Sequence, residues 1–388
     1  MLEVKVRQGL DKIEEYKVEL APDADIVVNA NESNWNLPKD VLLQVQYETQ
    51  EFLFNRYPPM GSGNLGQVLA SSLKVDPEKI IIGNGSSELL EKACFAFGGP
   101  GSKIAFPYPS FSMYGVYVQM SDSIGAPYAL TEEGYINPEQ VIAFCKREKP
   151  SLLIICNPNN PTGNFNSLEN MEKILAGVSC PVIMDEAYME FAMEADSEEK
   201  ISTLKLLDKY NNFLCLRTFS KAYGLAGLRV GYGVGSTELS RIIQKVLMPY
   251  HVNGYSLMVA QIAYENKFFF SERVQLIRRE RNKMQSKLLG LGFKVFDSAT
   301  NFLLFMPKAE LALKLAGYAE AKGYGFAGNN ENKAGNFIFQ ELLQRKILVR
   351  NFAGNPYLPG GLRLTMGTEE ENIKIFEALS KICKSVEE

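Results

Sequence analysis

A lysine, two hydroxyl residues and an arginine lie close together around a glycine-rich turn. Lys221 follows an apolar run at 213–216, Thr218 and Ser220 precede it, and Arg229 ends the stretch Lys-Ala-Tyr-Gly-Leu-Ala-Gly-Leu-Arg. Hydroxyls, exposed backbone N–H groups and an arginine together favour a phosphate site. A lysine inside such a site, near the end of a strand, is placed to form a Schiff base with a phosphorylated aldehyde, and pyridoxal 5′-phosphate is the common ligand of that kind. A solvated surface lysine is the alternative interpretation.

A carboxylate and two polar side chains earlier in the chain fit the same ligand. Asp185 ends an apolar run, where a carboxylate is costly unless it is paired, and a protonated pyridine nitrogen would pair with it. Tyr188 and Asn160 can each reach the phenolic oxygen of the same ring. A helix N-cap at Asp185 and a turn residue at Asn160 are the structural alternatives. The occurrence of all three ahead of Lys221 favours the cofactor site.

The elements that must position these residues are short apolar runs that end in polar or glycine-rich loops. These runs lie at 79–82, 103–106, 152–156, 182–184, 213–216 and 230–234. Alternation with helical segments predicts an α/β fold with buried parallel strands, and ligands bind beyond the carboxyl ends of such strands.

The C-terminal part has a different pattern. A helical stretch at about 268–289 predicts a link to a second domain, for which 301–305, 347–350 and 361–365 are candidate strands of a small α+β unit. The segment 324–336, rich in Gly and Asn, is predicted to be a long loop.

Composition excludes several classes of function. The chain has 388 residues, 46% hydrophobic and 22% charged, with a net charge of −4, which argues against a nucleic-acid or anionic-membrane partner. No apolar run approaches the ~18 residues of a membrane span, and the N-terminus has no apolar signal core, so a cytoplasmic location is expected. One histidine and six cysteines without a Cys-x-x-Cys pair predict that there is no metal site.

Together these motifs resemble the class I/II pyridoxal-phosphate aminotransferases of fold type I. The resemblance is carried by Asn-Pro-Asn-Asn-Pro-Thr-Gly at 157–163, Asp-Glu-Ala-Tyr at 185–188, the lysine stretch at 220–229 and Leu-Arg-Leu-Thr-Met-Gly-Thr at 362–368. Within that class the chain is most similar to the histidinol-phosphate aminotransferases, through the segments 6–10, 29–32, 56–58 and 347–351.

The resemblance implies a large domain, with a mainly parallel central sheet sandwiched by helices, and a small α+β domain. We predict an N-terminal arm at 1–45 that packs on the small domain, a pyridoxal-phosphate-binding domain at 46–272 and the small domain at 273–388.

The resemblance also implies a role for each site residue. Lys221, Asp185 and Tyr188 would be catalytic. The cofactor-binding set would be Lys221, Gly85, Ser86, Phe111, Asn160, Asp185, Tyr188, Thr218, Ser220, Arg229 and Tyr57. The substrate-binding set would be Arg363, Arg350, Asn160 and Trp35.

Four of these roles bear on the substrate and on assembly. Arg363 would clamp the substrate carboxylate, because a guanidinium binds it through two parallel hydrogen bonds. Arg350 would hold a substrate phosphate, and Trp35 would form a wall of the pocket. Tyr57 would reach the cofactor of a neighbouring subunit, which requires a homodimer with shared active sites.

The implied activity is transamination of histidinol phosphate with 2-oxoglutarate in histidine biosynthesis, with ping-pong kinetics through an internal aldimine at Lys221. The segment 31–36 carries Trp35 where the family usually has a tyrosine, and Asn351 stands where an aspartate is common. The segment 324–336 is also longer than is usual in the family, and all three departures concern substrate selection. An aromatic or other amino-acid aminotransferase and a threonine-phosphate decarboxylase of the same fold therefore remain alternatives, as does a non-enzymatic pyridoxal-phosphate-sensing module.

Overall fold

A computed structural model of the chain describes Leu10, Ile13, 23–193 and 201–386. In this structure the chain divides into two compact units. Among these residues the first unit contains Asn36–Asn159 and most of Phe165–Ser271, and the second contains 23–35, Asn160–Asn164 and 272–386. Residues 1–9, 11–12 and 14–22 of the predicted arm at 1–45 lie outside the described residues, and the predicted domain bounds stay a prediction.

The strands are β1 (Ile26–Val27), β2 (Ile80–Asn84), β3 (Lys103–Tyr108), β4 (Ile124–Ala129), β5 (Leu152–Cys156), β6 (Val182–Asp185), β7 (Phe213–Thr218), β8 (Val230–Gly235), β9 (Phe293–Val295), β10 (Phe302–Pro307), β11 (Ile347–Leu348), β12 (Arg350–Phe352) and β13 (Gly361–Thr365). The helices are α1 (Lys39–Gln50), α2 (Gly63–Leu73), α3 (Ser86–Phe97), α4 (Met113–Met120), α5 (Pro138–Glu148), α6 (Leu168–Gly177), α7 (Met189–Ala192), α8 (Thr237–Gln244), α9 (Gly254–Glu265), α10 (Lys267–Gly290), α11 (Ala309–Ala321), α12 (Asn330–Gln344) and α13 (Glu369–Lys384).

A seven-stranded sheet with the order β2-β8-β7-β6-β5-β3-β4 forms the centre of the first unit. The pairs from β7 through β6, β5 and β3 to β4 are parallel, whereas β8 is antiparallel to both β7 and β2. The α/β fold with a mainly parallel sheet is thus confirmed. Because β2 and β7 both run opposite to β8, the carboxyl ends of β2, β3, β5, β6 and β7 lie at one edge of the sheet.

The sheet is buried on both faces, which explains why its strands are continuous apolar runs. Every residue of β5, β6 and β7 is buried. Successive side chains point to opposite faces, so Leu153 and Ile155 join one hydrophobic cluster and Leu152 and Ile154 join another. Strand β4 was not predicted from the sequence, because it is an edge strand whose mostly exposed residues and internal Pro127 weaken the apolar pattern.

The second unit is α+β. Its four-stranded antiparallel sheet has the order β12-β13-β10-β9, and β1 pairs in parallel with β11. The prediction of a loop over 324–336 is wrong beyond residue 329, since α12 begins at Asn330. The side chain of Asn329 accepts a hydrogen bond from the backbone N–H of Asn332, and this cap starts a helix where composition alone indicated a loop.

Candidate active site

Lys221 lies just beyond the carboxyl end of β7, in the loop that leads to β8. The loop is ordered by its own backbone: Gly224 N donates to Lys221 O at 3.1 Å and Leu225 N donates to Phe219 O at 3.0 Å. Gly224 has φ 64°, which favours glycine at that turn. The ammonium of Lys221 lies 6.0 Å from the centre of the Tyr188 ring. The structure therefore brings these two predicted residues to the same edge of the sheet.

The predicted phosphate ligands converge beside this loop. Arg229 Nη1 lies 3.4 Å from Ser220 Oγ, and Ser220 N donates to Thr218 Oγ1 at 3.1 Å. A Cβ added to Gly85 would lie 2.6 Å from Arg229 Nη2, so the guanidinium lies directly against that backbone. Gly85 also precedes the first residue of α3 and has no side chain to cap the helix.

This arrangement fits a phosphate dianion. The N-terminus of α3 carries the positive end of the helix dipole, Arg229 lies against Gly85 there, and the hydroxyl of Ser220 lies beside Arg229. The backbone of β8 also passes so close to the start of α3 that glycine is required at position 231, because a Cβ on Gly231 would lie 2.2 Å from Ser86 N. Ser86 is itself buried.

Asp185 is the last residue of β6 and is 5% exposed. Its carboxylate accepts hydrogen bonds from Tyr114 Oη at 2.7 Å and from Ala187 N at 3.2 Å. Burial raises the pKa of Asp185 to about 6, although both hydrogen bonds act to lower it. A buried carboxylate of this kind fits a protonated ring nitrogen, because the positive charge would compensate for the lost hydration.

Tyr114 and Tyr117 belong to this region and were missed by the sequence analysis. The ring of Phe111, a predicted cofactor contact, meets that of Tyr114 edge to face at 5.5 Å. Burial raises the pKa of Tyr117, while its hydrogen bond to Ser87 and the charge of Arg229 oppose that rise. Phe111 lies two residues before α4 and Tyr114 is the second residue of that helix, and this short separation could have suggested the contact between their rings.

The remaining predicted substrate residues lie in the second unit. Arg363, on β13, is 7% exposed and donates from Nη1 to Asn160 Oδ1 and from Nη2 to Asn29 O, both at 2.6 Å. Arg350, on β12, is the register partner of Arg363. Both guanidinium groups lie over the ring of Phe352, at 6.0 Å for Arg350 and 5.7 Å for Arg363. The structure thus brings Asn160, Arg350 and Arg363 together.

Two further predicted residues, Trp35 and Tyr57, have other contacts. Trp35 is half-buried in a turn in which its backbone N–H donates to Ser33 Oγ at 3.3 Å. Tyr57 stacks on Tyr250 at 4.6 Å and is 80% exposed. Neither placement tests the role predicted for it.

The described residues contain no group of three or more His, Cys, Asp and Glu side chains that could hold a metal ion. Within the same part of the chain, no helix is both long and apolar enough to cross a membrane.

Comparison with known proteins agrees with the geometry. Residues 25–379 match the model of the family described as aminotransferase class I and II. A histidinol-phosphate aminotransferase of Thermoanaerobacter pseudethanolicus is 31% identical over 383 residues, which cover 98% of this chain and 99% of that protein.

Solved structures show the same fold. That of the histidinol-phosphate aminotransferase from Sinorhizobium meliloti, in complex with pyridoxal-5′-phosphate, is 22% identical, with a TM-score of 0.79 and coverage of 94% of this chain and 92% of that one. The L-threonine-O-3-phosphate decarboxylase from Porphyromonas gingivalis is also 22% identical, with a TM-score of 0.74 and coverage of 92% and 99%.

Proposed function

The chain belongs to the aminotransferase class I and II family, and from this premise we propose that it transaminates histidinol phosphate, with 2-oxoglutarate as the acceptor, in histidine biosynthesis. It is a transaminase whose cofactor is pyridoxal 5′-phosphate. The choice of a phosphorylated amino donor is supported by the paired arginines of the second unit and by the names of the full-length relatives. A cytoplasmic location stays a prediction from the sequence.

The residues at the carboxyl edge of the first unit's sheet would hold the cofactor. Ser220, Arg229 and the N-terminus of α3 would bind its phosphate, and Asp185 would bind the protonated ring nitrogen. The bound cofactor supplies a ring that accepts the electrons released at the substrate Cα. Lys221 would hold the cofactor covalently and, once displaced by the substrate amine, would carry the proton between the reacting carbons. Tyr188 would donate to the phenolic oxygen.

The observation that carries the choice of donor is the opposition of Arg350 and Arg363. Paired residues of antiparallel strands share a face, and like charges opposite one another repel. The charge of a phosphate dianion, or of the two carboxylates of 2-oxoglutarate, would offset this repulsion. Arg363 would bind the carboxylate of the carboxyl-bearing substrates, and Asn160 would help to orient them. Arg350 would bind the phosphate of histidinol phosphate. Trp35 would line the pocket.

We propose that the enzyme is a homodimer with shared active sites. Apolar side chains are exposed around the α1–α2 segment, at Leu53 (65%), Phe54 (71%), Tyr57 (80%) and Met60 (65%). Exposed apolar patches of this kind mark association surfaces, and a second copy of the chain would bring Tyr57 to its partner's cofactor. Phe54→Asp should produce monomers in light scattering, whereas Leu313→Asp, at an exposed leucine of the second unit, should not.

The donor is tested by single-turnover half-reactions followed by absorbance, with histidinol phosphate, histidinol, phosphothreonine, tyrosine and glutamate. Wild type should react fastest with histidinol phosphate. Arg350→Ala should lower kcat/KM for that donor by roughly 10- to 100-fold, which corresponds to the loss of charge-assisted hydrogen bonds. The kcat/KM for histidinol, which lacks the phosphate, should change by less than about threefold. Arg345→Ala is the matched control, because Arg345 is an exposed arginine that bonds to Glu341 on α12.

Each alternative has its own outcome. Equal losses on all donors would refute a phosphate-binding role for Arg350. Release of carbon dioxide from phosphothreonine without formation of the oxo acid would indicate a decarboxylase. Preference for tyrosine over histidinol phosphate would indicate an aromatic aminotransferase.

A further inference from the structure

The buried ion-pair cluster behind the cofactor edge has no role in the function proposed above. Glu186 is 0% exposed and Arg217 is 4% exposed, and they follow Asp185 and precede Thr218, respectively. Arg217 Nε and Nη2 contact Glu186 Oε2 at 2.9 and 2.8 Å, and Arg217 Nη1 contacts Glu190 Oε1 at 3.0 Å.

The rest of the cluster saturates the Glu186 carboxylate. Ser202 Oγ donates to Oε2 at 2.7 Å, and the backbone N–H and Oγ1 of Thr203 donate to Oε1 at 2.8 and 2.6 Å. Arg217 Nη2 also donates to Ser202 Oγ at 2.9 Å. Five donor contacts from Arg217, Ser202 and Thr203 thus reach the two oxygens of this carboxylate.

The cluster and the cofactor residues lie on opposite faces of the same two strands. Asp185 is paired with Leu216, and Glu186 N donates to Leu216 O at 2.9 Å. Because side chains alternate along a strand, Asp185 and Thr218 face one side and Glu186 and Arg217 face the other. The negative charge of Glu186 is therefore one residue from Asp185, across the sheet, in a buried environment where charges are weakly screened.

We propose that Arg217 is a positioning residue which neutralises Glu186, so that the adjacent Asp185 can remain a carboxylate opposite the cofactor's ring nitrogen. Without the guanidinium, the charge of Glu186 would oppose ionisation of Asp185. The inference rests on the proposed pairing of Asp185 with that nitrogen.

Other titratable groups surround Asp185 and the Glu186–Arg217 pair. On the cofactor face, Tyr114 donates to Asp185, with Cys156 nearby. On the opposite face, Cys215, Glu190, Tyr232 and Tyr264 surround the cluster. The pKa values of Cys215 and Tyr232 are raised by burial, and burial and the neighbouring carboxylates act in opposite directions on Arg217, whose pKa stays well above its ordinary value. Arg217 is thus the cation of the cluster, and Glu186 and Glu190 are its carboxylate partners.

The test is the pH dependence of pyridoxamine 5′-phosphate binding, measured by fluorescence titration of the full chain between pH 5 and 9. This probe has the ring and phosphate but no aldehyde, so it reports on Asp185 without the covalent bond to Lys221. The midpoint is the pH below which affinity falls as Asp185 takes up a proton. Arg217→Met should move it up by about one unit, and Glu186→Gln should move it down by a similar amount.

The double variant Glu186→Gln/Arg217→Met removes both charges and should return the midpoint to near the wild-type value. Arg217→Lys keeps the charge and should stay close to wild type at the midpoint, even if its melting temperature falls. If Arg217→Met does not fold, the proposal is still tested by two results: the lower midpoint expected for Glu186→Gln and the wild-type midpoint expected for the double variant.

Two failures are distinguishable. If Asp185→Asn keeps the wild-type pH profile, the proposed role of Asp185 is wrong. If Asp185→Asn abolishes the profile but the Glu186 and Arg217 variants lower only the melting temperature, with unchanged midpoints, the cluster is merely structural and the inference is overturned.

Discussion

Tyr114→Phe tests how the carboxylate at the end of β6 is kept ionised. The phenol donates to Asp185 at 2.7 Å, and the pKa of Asp185 is about 6 with this hydrogen bond in place. A hydrogen bond to a charged group contributes about 1.5–3 kcal/mol, and 1.36 kcal/mol corresponds to one pKa unit. Loss of the hydroxyl should therefore raise the pKa of Asp185 to roughly 7–8.

The expected change in cofactor affinity follows from the fraction of Asp185 that is ionised. If only the carboxylate form binds the protonated ring, the apparent Kd is the intrinsic value divided by that fraction. At pH 7 the wild-type fraction is about 0.9, and the variant's would be about 0.1 to 0.5, so binding of pyridoxamine 5′-phosphate should weaken about two- to tenfold. At pH 9 Asp185 is mostly ionised in both proteins, and the difference should nearly vanish.

Tyr128→Phe is the matched control. Tyr128 is also buried in the first unit, but its hydroxyl donates to the backbone carbonyl of Ile154 at 3.0 Å and has no carboxylate partner among the described residues. It should lose about 1 kcal/mol of stability with an unchanged binding profile. The reasoning would be refuted if Tyr114→Phe bound the probe with the wild-type pH profile, or if the two variants had the same profile.

Three further outcomes are expected. Gly231→Ala should lower both the melting temperature and cofactor affinity in thermal and fluorescence titrations, because its Cβ would meet the Ser86 backbone at 2.2 Å, whereas Gly227→Ala, with open space around it, should change neither. Arg363→Lys should raise KM for 2-oxoglutarate by roughly 10- to 100-fold in steady-state assays, since a lysine cannot bind a carboxylate through a planar fork; an unchanged KM would contradict its role. In the cofactor-free protein, the free energy of unfolding relative to Asp185→Asn should fall by about 2 kcal/mol between pH 4.5 and 7.5, because the folded pKa of about 6 lies above the ordinary 3.8 and the stabilising contribution is lost as pH rises through it. Urea titrations at these pH values measure that change, and a flat difference would show that Asp185 ionises normally.

Local pattern was sufficient for the α/β class and for the first candidate cofactor residues, whereas the family resemblance supplied the others. Buried parallel strands must be apolar along their whole length, so β5, β6 and β7 stand out in the sequence, and the residues that follow them must meet at one edge. Asp185, Thr218 and Lys221 could be selected in this way because each lies within five residues of the end of an apolar run. The edge strand β4 was not predicted because its exposed residues weaken the apolar pattern. The start of α12 was not predicted because its Gly- and Asn-rich composition is typical of a loop.

Contacts between residues distant in sequence required the folded chain. Tyr114 and Asp185 are 71 positions apart, and Arg363 and Asn160 are 203 apart, so no local spacing links them. The opposition of Arg350 to Arg363 depends on strand register, and the Glu186–Arg217 pair depends on which face each side chain takes. Motifs reveal which chemical groups are available, but charge compensation inside a protein is set by distance and burial, and these arise only when separate strands pack together.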